Sequence, residues 1–453
     1  MKKKPEGIPE LETETPDLKL HMMHENTSKY ETIIQLFAFS FALFFFGCVD
    51  RKSGRGGNVD AGVESFRLAG TEQLFEQDGD NLFIYVPYET DVTHLKTEIV
   101  VDDYATISPT SGTFMDFTNP QRYTVKMKNG SRDYTVTVKK SLWRQVVENG
   151  TAPFLKVDGH CMATFKDKLW LLGGWLGKFE HDKATFVQGG NYWTSQVWCT
   201  SDGLNWESKG NAPWAGRHGF GCVVHDDKLW VIGGDQHTDV WNTEDGVHWN
   251  KVLDKTPWGE RYFPYIVSFK GKIWVMGGIR ITFPGSEIRD KYNDIWSSTD
   301  GVHWTREVEF VKWAPRGLIT GSAVLKDELY IYGGCLLYSY AYNDVWKTSD
   351  GVNWTQVTPH APWPPRQWSS VASYDNKLWI MAGDFDIRND TMMNDVWSSP
   401  DGVTWTQQKG IFWKPRHATP VVAFDNKLWL AGGLISRNDG GVSNDVWVME
   451  LDK

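Results

Sequence analysis

With 453 residues, 41 % apolar and 23 % charged, the chain has the composition of a globular protein too long for one ordinary core. A net charge of −10 with no offsetting basic stripe argues against a nucleic-acid binder. Tryptophan stands out: there are 25, none before Trp143, so the composition changes abruptly there and marks a domain boundary.

Residues 1–32 are polar. Ile33 to Gly47 is an apolar run broken by Gln35 and Ser40 and ending Phe45-Phe46-Gly47-Cys48. A membrane-spanning helix needs about 20 residues, and this run has instead the length of a signal-peptide apolar region. Its end resembles the lipobox of bacterial lipoproteins, with Phe45 and Phe46 where Leu and a small residue are usual. The resemblance implies a leader over 1–48, lipidation of Cys48 and a membrane as partner. An uncleaved anchor and a buried helix are the other readings, and Met1, Met22 and Met23 all stand as start sites. Residues 49–62, rich in Gly and polar, read as a flexible tether.

Between 63 and 139, short alternating runs predict strands at Ser65–Leu68, Leu82–Val86, Glu98–Val101, Arg122–Met127 and Tyr134–Val138, with Asn129-Gly130 as a hairpin turn. This reads as a small β-sandwich. With Ser108-Pro109-Thr110-Ser111-Gly112 and Asp116-Phe117-Thr118-Asn119-Pro120, the stretch resembles the immunoglobulin-like modules of bacterial surface lipoproteins, which implies a spacer.

From Trp143 four signals recur in fixed order at a period of about 44–60 residues, the spacing of propeller blades. An apolar strand ends in Gly-Gly, as at Gly233-Gly234. Then come Asp-Val/Ile-Trp, Asp-Gly-x-x-Trp and Trp-x-x-Arg, as at Trp241, Trp249 and Trp258/Arg261. Each unit predicts four strands, A to D, with the Asp-Gly as a two-residue hairpin turn between C and D. Six B and six C strands occur but only five Asp-Gly-x-x-Trp strands. Residues 141–147 match the missing D strand and are expected to close the last blade beside 444–450, leaving fewer exposed edges. The region 141–453 resembles Kelch repeats through its Gly-Gly, spaced aromatics and Pro-Arg pairs (Pro315-Arg316, Pro365-Arg366, Pro415-Arg416). The expected fold is all-β: a six-bladed Kelch-like β-propeller of four-stranded blades preceded by a small β-sandwich.

A residue repeated in every blade belongs first to the scaffold. All tryptophans but Trp175, Trp193 and Trp368 fall in the four registers, which makes those three binding candidates. The Kelch resemblance implies that the B–C and D–A loops share one face. That face would carry Arg217, Arg261, Arg316, Arg366 and Arg416, with Val157 as a gap in the ring, and His160, His218, His237 and His417. Asp235, Asp384, Asp386 and Asp390 add carboxylates. A guanidinium ring suits an anionic ligand, whereas a structural role for each Arg is the competing reading. Cys161, Cys199, Cys222 and Cys335 show no metal-ligand spacing; they read as buried thiols, with a Cys161–Cys222 bridge left open.

No catalytic residue, metal or cofactor is assigned. The expected function is that of an exported, lipid-anchored bacterial lipoprotein binding a glycan or protein on the loop face, without catalysis. The alternative is an enzyme on an anionic sugar, resembling N-acetylneuraminate epimerases (mutarotases).

Overall fold

The computed structural model describes residues 57–59 and 62–451, except 178–184, 188–190, 283–286, 322, 336–340, 387–390 and 437–440. The leader, Cys48 and Asp390 lie outside the described residues. All described residues belong to one unit, Gly56–Lys453. Its secondary structure is strand throughout, with no helix among the described residues.

Two sheets, of four and five strands, form between Gly57 and Lys140 and enclose one core that includes Phe66, Ile84, Tyr123 and Val136. Period-2 burial in Leu95–Val101 and Gly130–Lys140 shows why these runs are strands: one face meets the core and the other water. Gly57–Val59 pairs with Val63–Leu68, so part of the expected tether belongs to this module. The strands Leu74–Asp78, Thr106–Ser108 and Phe114–Met115 were not legible, because none is buried. Asn81–Val86 runs parallel to Gly130–Lys140. The latter leads straight into the repeats: Ser141 N donates to Val86 O at 2.8 Å, and Lys409 pairs with Glu76 at 3.1 Å.

Among the described residues the repeats fold into six main sheets, antiparallel except where Ile319–Thr320 joins Ser369–Tyr374 in parallel, and two two-stranded ribbons, Thr185–Val187 with Asn191–Trp193 and Ile279–Thr282 with Glu287–Lys291. In the second main sheet, Gly221–His225, Lys228–Ile232, Val240–Thr243 and Trp249–Leu253 pair in sequence order. The two-residue turn falls between the first and second strands, not between the third and fourth. Asp226-Asp227 there has φ of 49° and 54°, both left-handed, the hairpin geometry that Asp and Asn tolerate. The third-to-fourth connection is wider. Asp245 Oδ1 accepts N–H bonds from Val247 and His248 at 2.8 Å, and Gly246 N donates to Thr243 Oγ1 at 2.8 Å.

Gly246 is required twice. Its φ is 78°, and a Cβ would lie 2.0 Å from the Trp170 indole of the preceding sheet. The same contact recurs for Gly301 on Trp230 and Gly351 on Trp274. Thus Trp170, Trp230 and Trp274 of the second strands each pack on the Asp-Gly turn of the next sheet, burying aromatic area between neighbours.

The last sheet joins both ends of the region. Trp143–Val147 pairs antiparallel with Gly441–Met449, Trp143 opposite Met449. The first strands of successive sheets also touch: Cys161–Phe165 lies between Gly221–His225 and Val421–Phe424. A cavity of about 400 Å³ runs between these first strands, its lining including His160, Cys161, Cys222, Ile266, Val371 and Val422.

Candidate functional site

The five arginines do not offer a guanidinium ring to a ligand; each is buried in its own sheet. Arg416 donates to both carboxylate oxygens of Asp445 at 2.7 and 2.8 Å and to Gly432 O at 2.7 Å. Arg217 grips Asp239 and Arg316 grips Asp344 the same way, and Arg366 holds Asp395. Arg261 meets Asp294 at 2.7 Å and Gly277 O at 2.8 Å. The Trp of each Asp-Val/Ile-Trp completes the cluster, its indole N–H donating to the carboxylate two residues earlier, as Trp241 does to Asp239 at 2.7 Å. Burial alone would raise these carboxyls, but the arginine's charge and hydrogen bonds outweigh it and hold Asp239, Asp395 and Asp445 below the usual range.

Val157 is not an opening in that ring. Where the other repeats place Asp, the first has Gln196. Its Oε1 accepts from Leu155 N at 3.1 Å and Trp198 Nε1 at 3.0 Å, and its Nε2 reaches Gly173 O at 3.4 Å. A neutral amide thus replaces the ion pair, and Val157, at the arginine position, is buried in an apolar cluster.

Just past the arginine position, the chain turns through a left-handed residue in every repeat. The second residue beyond it in each repeat (Gly159, Gly219, Phe263, Leu318, Trp368 and Ala418) has positive φ, between 44° and 61°. Their backbones hydrogen-bond from repeat to repeat. Gly219 N donates to Gly159 O, Phe263 N to Gly219 O, Trp368 N to Leu318 O, Ala418 N to Trp368 O, and Gly159 N to Ala418 O. Left-handed geometry in Phe, Leu and Trp is strained and needs a surrounding structure that imposes it. Their side chains, with Tyr262, Ile279 and Cys335, make an apolar cluster.

The residues immediately preceding this ring bring a polar chain together. Asp158 Oδ1 lies 3.1 Å from His218 Nε2, off the line of a hydrogen bond, and Asp158 Oδ2 lies 3.8 Å from His417 Nε2. His417 Nδ1 is 3.6 Å from Asp384 Oδ2, and His218 Nδ1 is 3.1 Å from the Tyr262 hydroxyl. Two carboxylates, two imidazoles and a phenol therefore alternate as Asp384, His417, Asp158, His218 and Tyr262. The hydrogen bond between Tyr262 and His218 can orient that imidazole's tautomer, and the two carboxylates lie at ion-pair range of the two histidines.

The three non-register tryptophans each sit beside one candidate histidine. Trp368 stacks on His417 with centroids 4.8 Å apart; Trp175 lies 6.4 Å from His218, and Trp193 lies 5.9 Å from His237. Trp175 is part-exposed, whereas Trp193 and Trp368 are buried. His237 Nε2 contacts Gly216 O at 3.2 Å; burial and the charge of Arg217 push its pKa down to about 4. His160 is buried, lines the cavity between the first strands and has neither ring nitrogen bonded; burial pushes it down to about 3. Asp386 is buried, its N–H donating to Asp384 Oδ1 at 3.1 Å, so it braces Asp384.

Asp158, the hub, and Tyr262 were missed in the sequence. Both occupy the register of His218 and His417, one residue past the Arg position, and that shared register was the available signal. Among the described residues, no three His, Cys, Asp or Glu side chains converge as a metal site. Cys161, Cys199, Cys222 and Cys335 are free thiols.

Comparisons with known proteins divide along the chain. Residues 63–138 match the family described as SGBP, N-terminal. A solved structure titled "Structure of YjhT" resembles the chain with a TM-score of 0.52 at 13 % identity, covering 68 % of this chain and 98 % of that one. At that identity the likeness shows a fold, that of a β-propeller. No curated protein matches the chain.

Proposed function

We propose that this chain is an exported bacterial glycan-binding protein, lipid-anchored through Cys48. In this reading residues 63–139 form a small immunoglobulin-like β-sandwich that acts as a spacer, and 141–453 form a six-bladed Kelch-like propeller. The loops after the second and fourth strands of its blades make the recognition face. The match of 63–138 to the N-terminal module of SGBP proteins, a glycan-binding class, carries the proposal. Six units with four antiparallel strands each, one of them extended by the parallel strand Ile319–Thr320, and the Trp143–Met449 pairing support the blade count. An aromatic face beside a few fixed polar groups is what sugars require, and Trp175 with His218 and Tyr262 supplies it. The test is a glycan array probed with the purified protein. Binding that is lost in Trp175→Ala and His218→Ala is expected; an array on which nothing binds would end the proposal.

A second reading, proton transfer to a bound sugar, draws on one observation, the Tyr262 hydroxyl hydrogen-bonded to His218 with the Asp158 carboxylate 3.1 Å from the other ring nitrogen. It does not inherit the anion clamp, because the blade arginines are neutralised within their sheets. Anomer exchange followed by NMR tests it. Acceleration by the protein, absent in His218→Ala, would replace the binding-only reading.

A further inference from the structure

Two thiols meet where the first sheet of the repeats packs on the second. The strands Cys161–Phe165 and Gly221–His225 lie side by side, and the chain enters both from one hydrogen bond, Gly219 N to Gly159 O at 3.0 Å. Side chains alternate along a strand, so every other residue turns to the neighbouring sheet. Cys161, Ala163 and Phe165 from the first sheet, and Phe220, Cys222 and Val224 from the second, fall in one apolar cluster. The two cysteines therefore share a seam, a few residues beyond the hydrogen bond that joins the sheets.

Each sulfur already reaches across that seam. Cys161 Sγ donates to Phe220 O at 3.2 Å, and Cys222 Sγ donates to Met162 O at 3.5 Å. Each thiol thus touches the other sheet within two residues of the opposite cysteine. Burial of the sulfur first, and the Cys222 thiol second, push the Cys161 pKa well above its usual value. Both residues are part-exposed and line the cavity of about 400 Å³ between the first strands. A disulfide needs Cα atoms roughly 4–7 Å apart. Chains joined by a backbone hydrogen bond lie about 5 Å apart at that point, so the seam begins within bridging range. Cys199 and Cys335 are buried elsewhere, Cys199 beside Glu207 and Cys335 in the apolar cluster of Tyr262 and Trp368.

We propose that Cys161 and Cys222 are a disulfide-forming pair that staples the first repeat to the second. The oxidant is a disulfide, that of a thiol oxidoreductase or of glutathione. One cysteine thiolate attacks a sulfur of the oxidant, forms a mixed disulfide and expels a thiolate. The other cysteine thiolate then attacks the captured cysteine sulfur and expels the second thiolate of the oxidant. Each cysteine gives up one proton and one electron, and the oxidant takes up both pairs to become two thiols. A raised pKa leaves little thiolate in the folded protein, so the bond forms while the chain folds, before the seam closes. The oxidising compartment comes from the exported location proposed above. The bridge gives up two weak S–H contacts and closes about 60 residues of chain. It also fixes the seam that sets Asp158 3.1 Å from His218.

The experiment refolds the reduced, unfolded full chain in a buffer of glutathione and its disulfide and, in parallel, in dithiothreitol. Free thiols are then alkylated, and tryptic peptides are read by mass spectrometry. Peptides 157–166 and 218–228, which carry the two cysteines, are expected as one disulfide-linked species after oxidative refolding and as separate alkylated peptides after refolding in dithiothreitol. The bridged protein should unfold about 5 °C higher, a gain that dithiothreitol removes and that Cys161→Ala and Cys222→Ala each lack. Should either variant fail to fold, the linked peptide and its loss in dithiothreitol are read on the unaltered chain. Oxidatively refolded protein in which both peptides are alkylated, carry glutathione, or pair with Cys199 or Cys335 overturns the inference. Because the oxidant is supplied in solution, those outcomes leave the exported location standing. A bridge that forms in solution but is absent from the chain trapped by alkylation in bacteria upholds the pair and overturns the location.

Discussion

Gln196 occupies, in the first repeat, the place that Asp445 occupies in the last, and it bonds Leu155 N and Trp198 Nε1 where Asp445 bonds Arg416 and Trp447. One repeat solves with a neutral amide and Val157 what the others solve with an ion pair. A double-mutant cycle follows directly. Val157→Arg and Gln196→Asp should each destabilise by about 3 kcal/mol, because each leaves a buried charge alone. Combined, they should recover most of that loss, with a coupling energy of about 1–3 kcal/mol in denaturant titrations. Additive losses would show that the first repeat cannot accept the arginine geometry.

Breaking the pair where it exists is expected to be worse. Arg416→Ala leaves Asp445 buried and uncompensated and should cost about 3–5 kcal/mol in chemical denaturation. Any glycan bound by the folded protein should keep its affinity, since the guanidinium is 1 % exposed and turned into its sheet.

Two glycines separate backbone strain from packing. Gly246 and Gly259 have nearly the same φ, 78° and 79°, but a Cβ on Gly246 strikes Trp170 while one on Gly259 meets nothing within 4 Å. Gly259→Ala should therefore cost about 1–2 kcal/mol, the left-handed penalty. Gly246→Ala should add about 1–3 kcal/mol for overpacking between sheets. Equal losses, measured by thermal unfolding, would remove the inter-sheet contact as the reason for this repeated glycine.

Acid should unfold the protein in two stages. His160 and His237 have folded pKa values of about 3 and about 4, below the unfolded value near 6.5. The unfolded chain thus binds more protons below that value, and stability is lost as pH falls from 6.5 toward the folded values, by at most about 1.4 kcal/mol per pH unit per group. Asp239, Asp395 and Asp445 are depressed, so their contribution persists until the pH drops below the ordinary carboxylate value and is lost beneath it. His160→Gln should flatten the first stage in urea titrations between pH 6.5 and 4. An unchanged slope would mean that His160 is not held neutral by burial.

The repeats were legible because scaffold chemistry is local. The Trp of Asp-Val/Ile-Trp reaches the carboxylate two residues before it, and Gly in Asp-Gly takes the left-handed turn, so both write their reasons within a few positions of sequence. The closing strand could be read for the same kind of reason: five fourth-strand signatures for six third strands left one place to fill, and Trp143 fills it. The arginines could not be read alone. Arg217 and Asp239 lie 22 positions apart, and an exposed anion clamp and a buried ion pair use the same residue in the same register. Only the packed sheet decided between them, by removing the guanidinium from water. The polar chain was further from view. Asp158 and His417 are neighbours because the ring returns the last repeat to the first, a proximity set by tertiary closure that no spacing along the chain encodes.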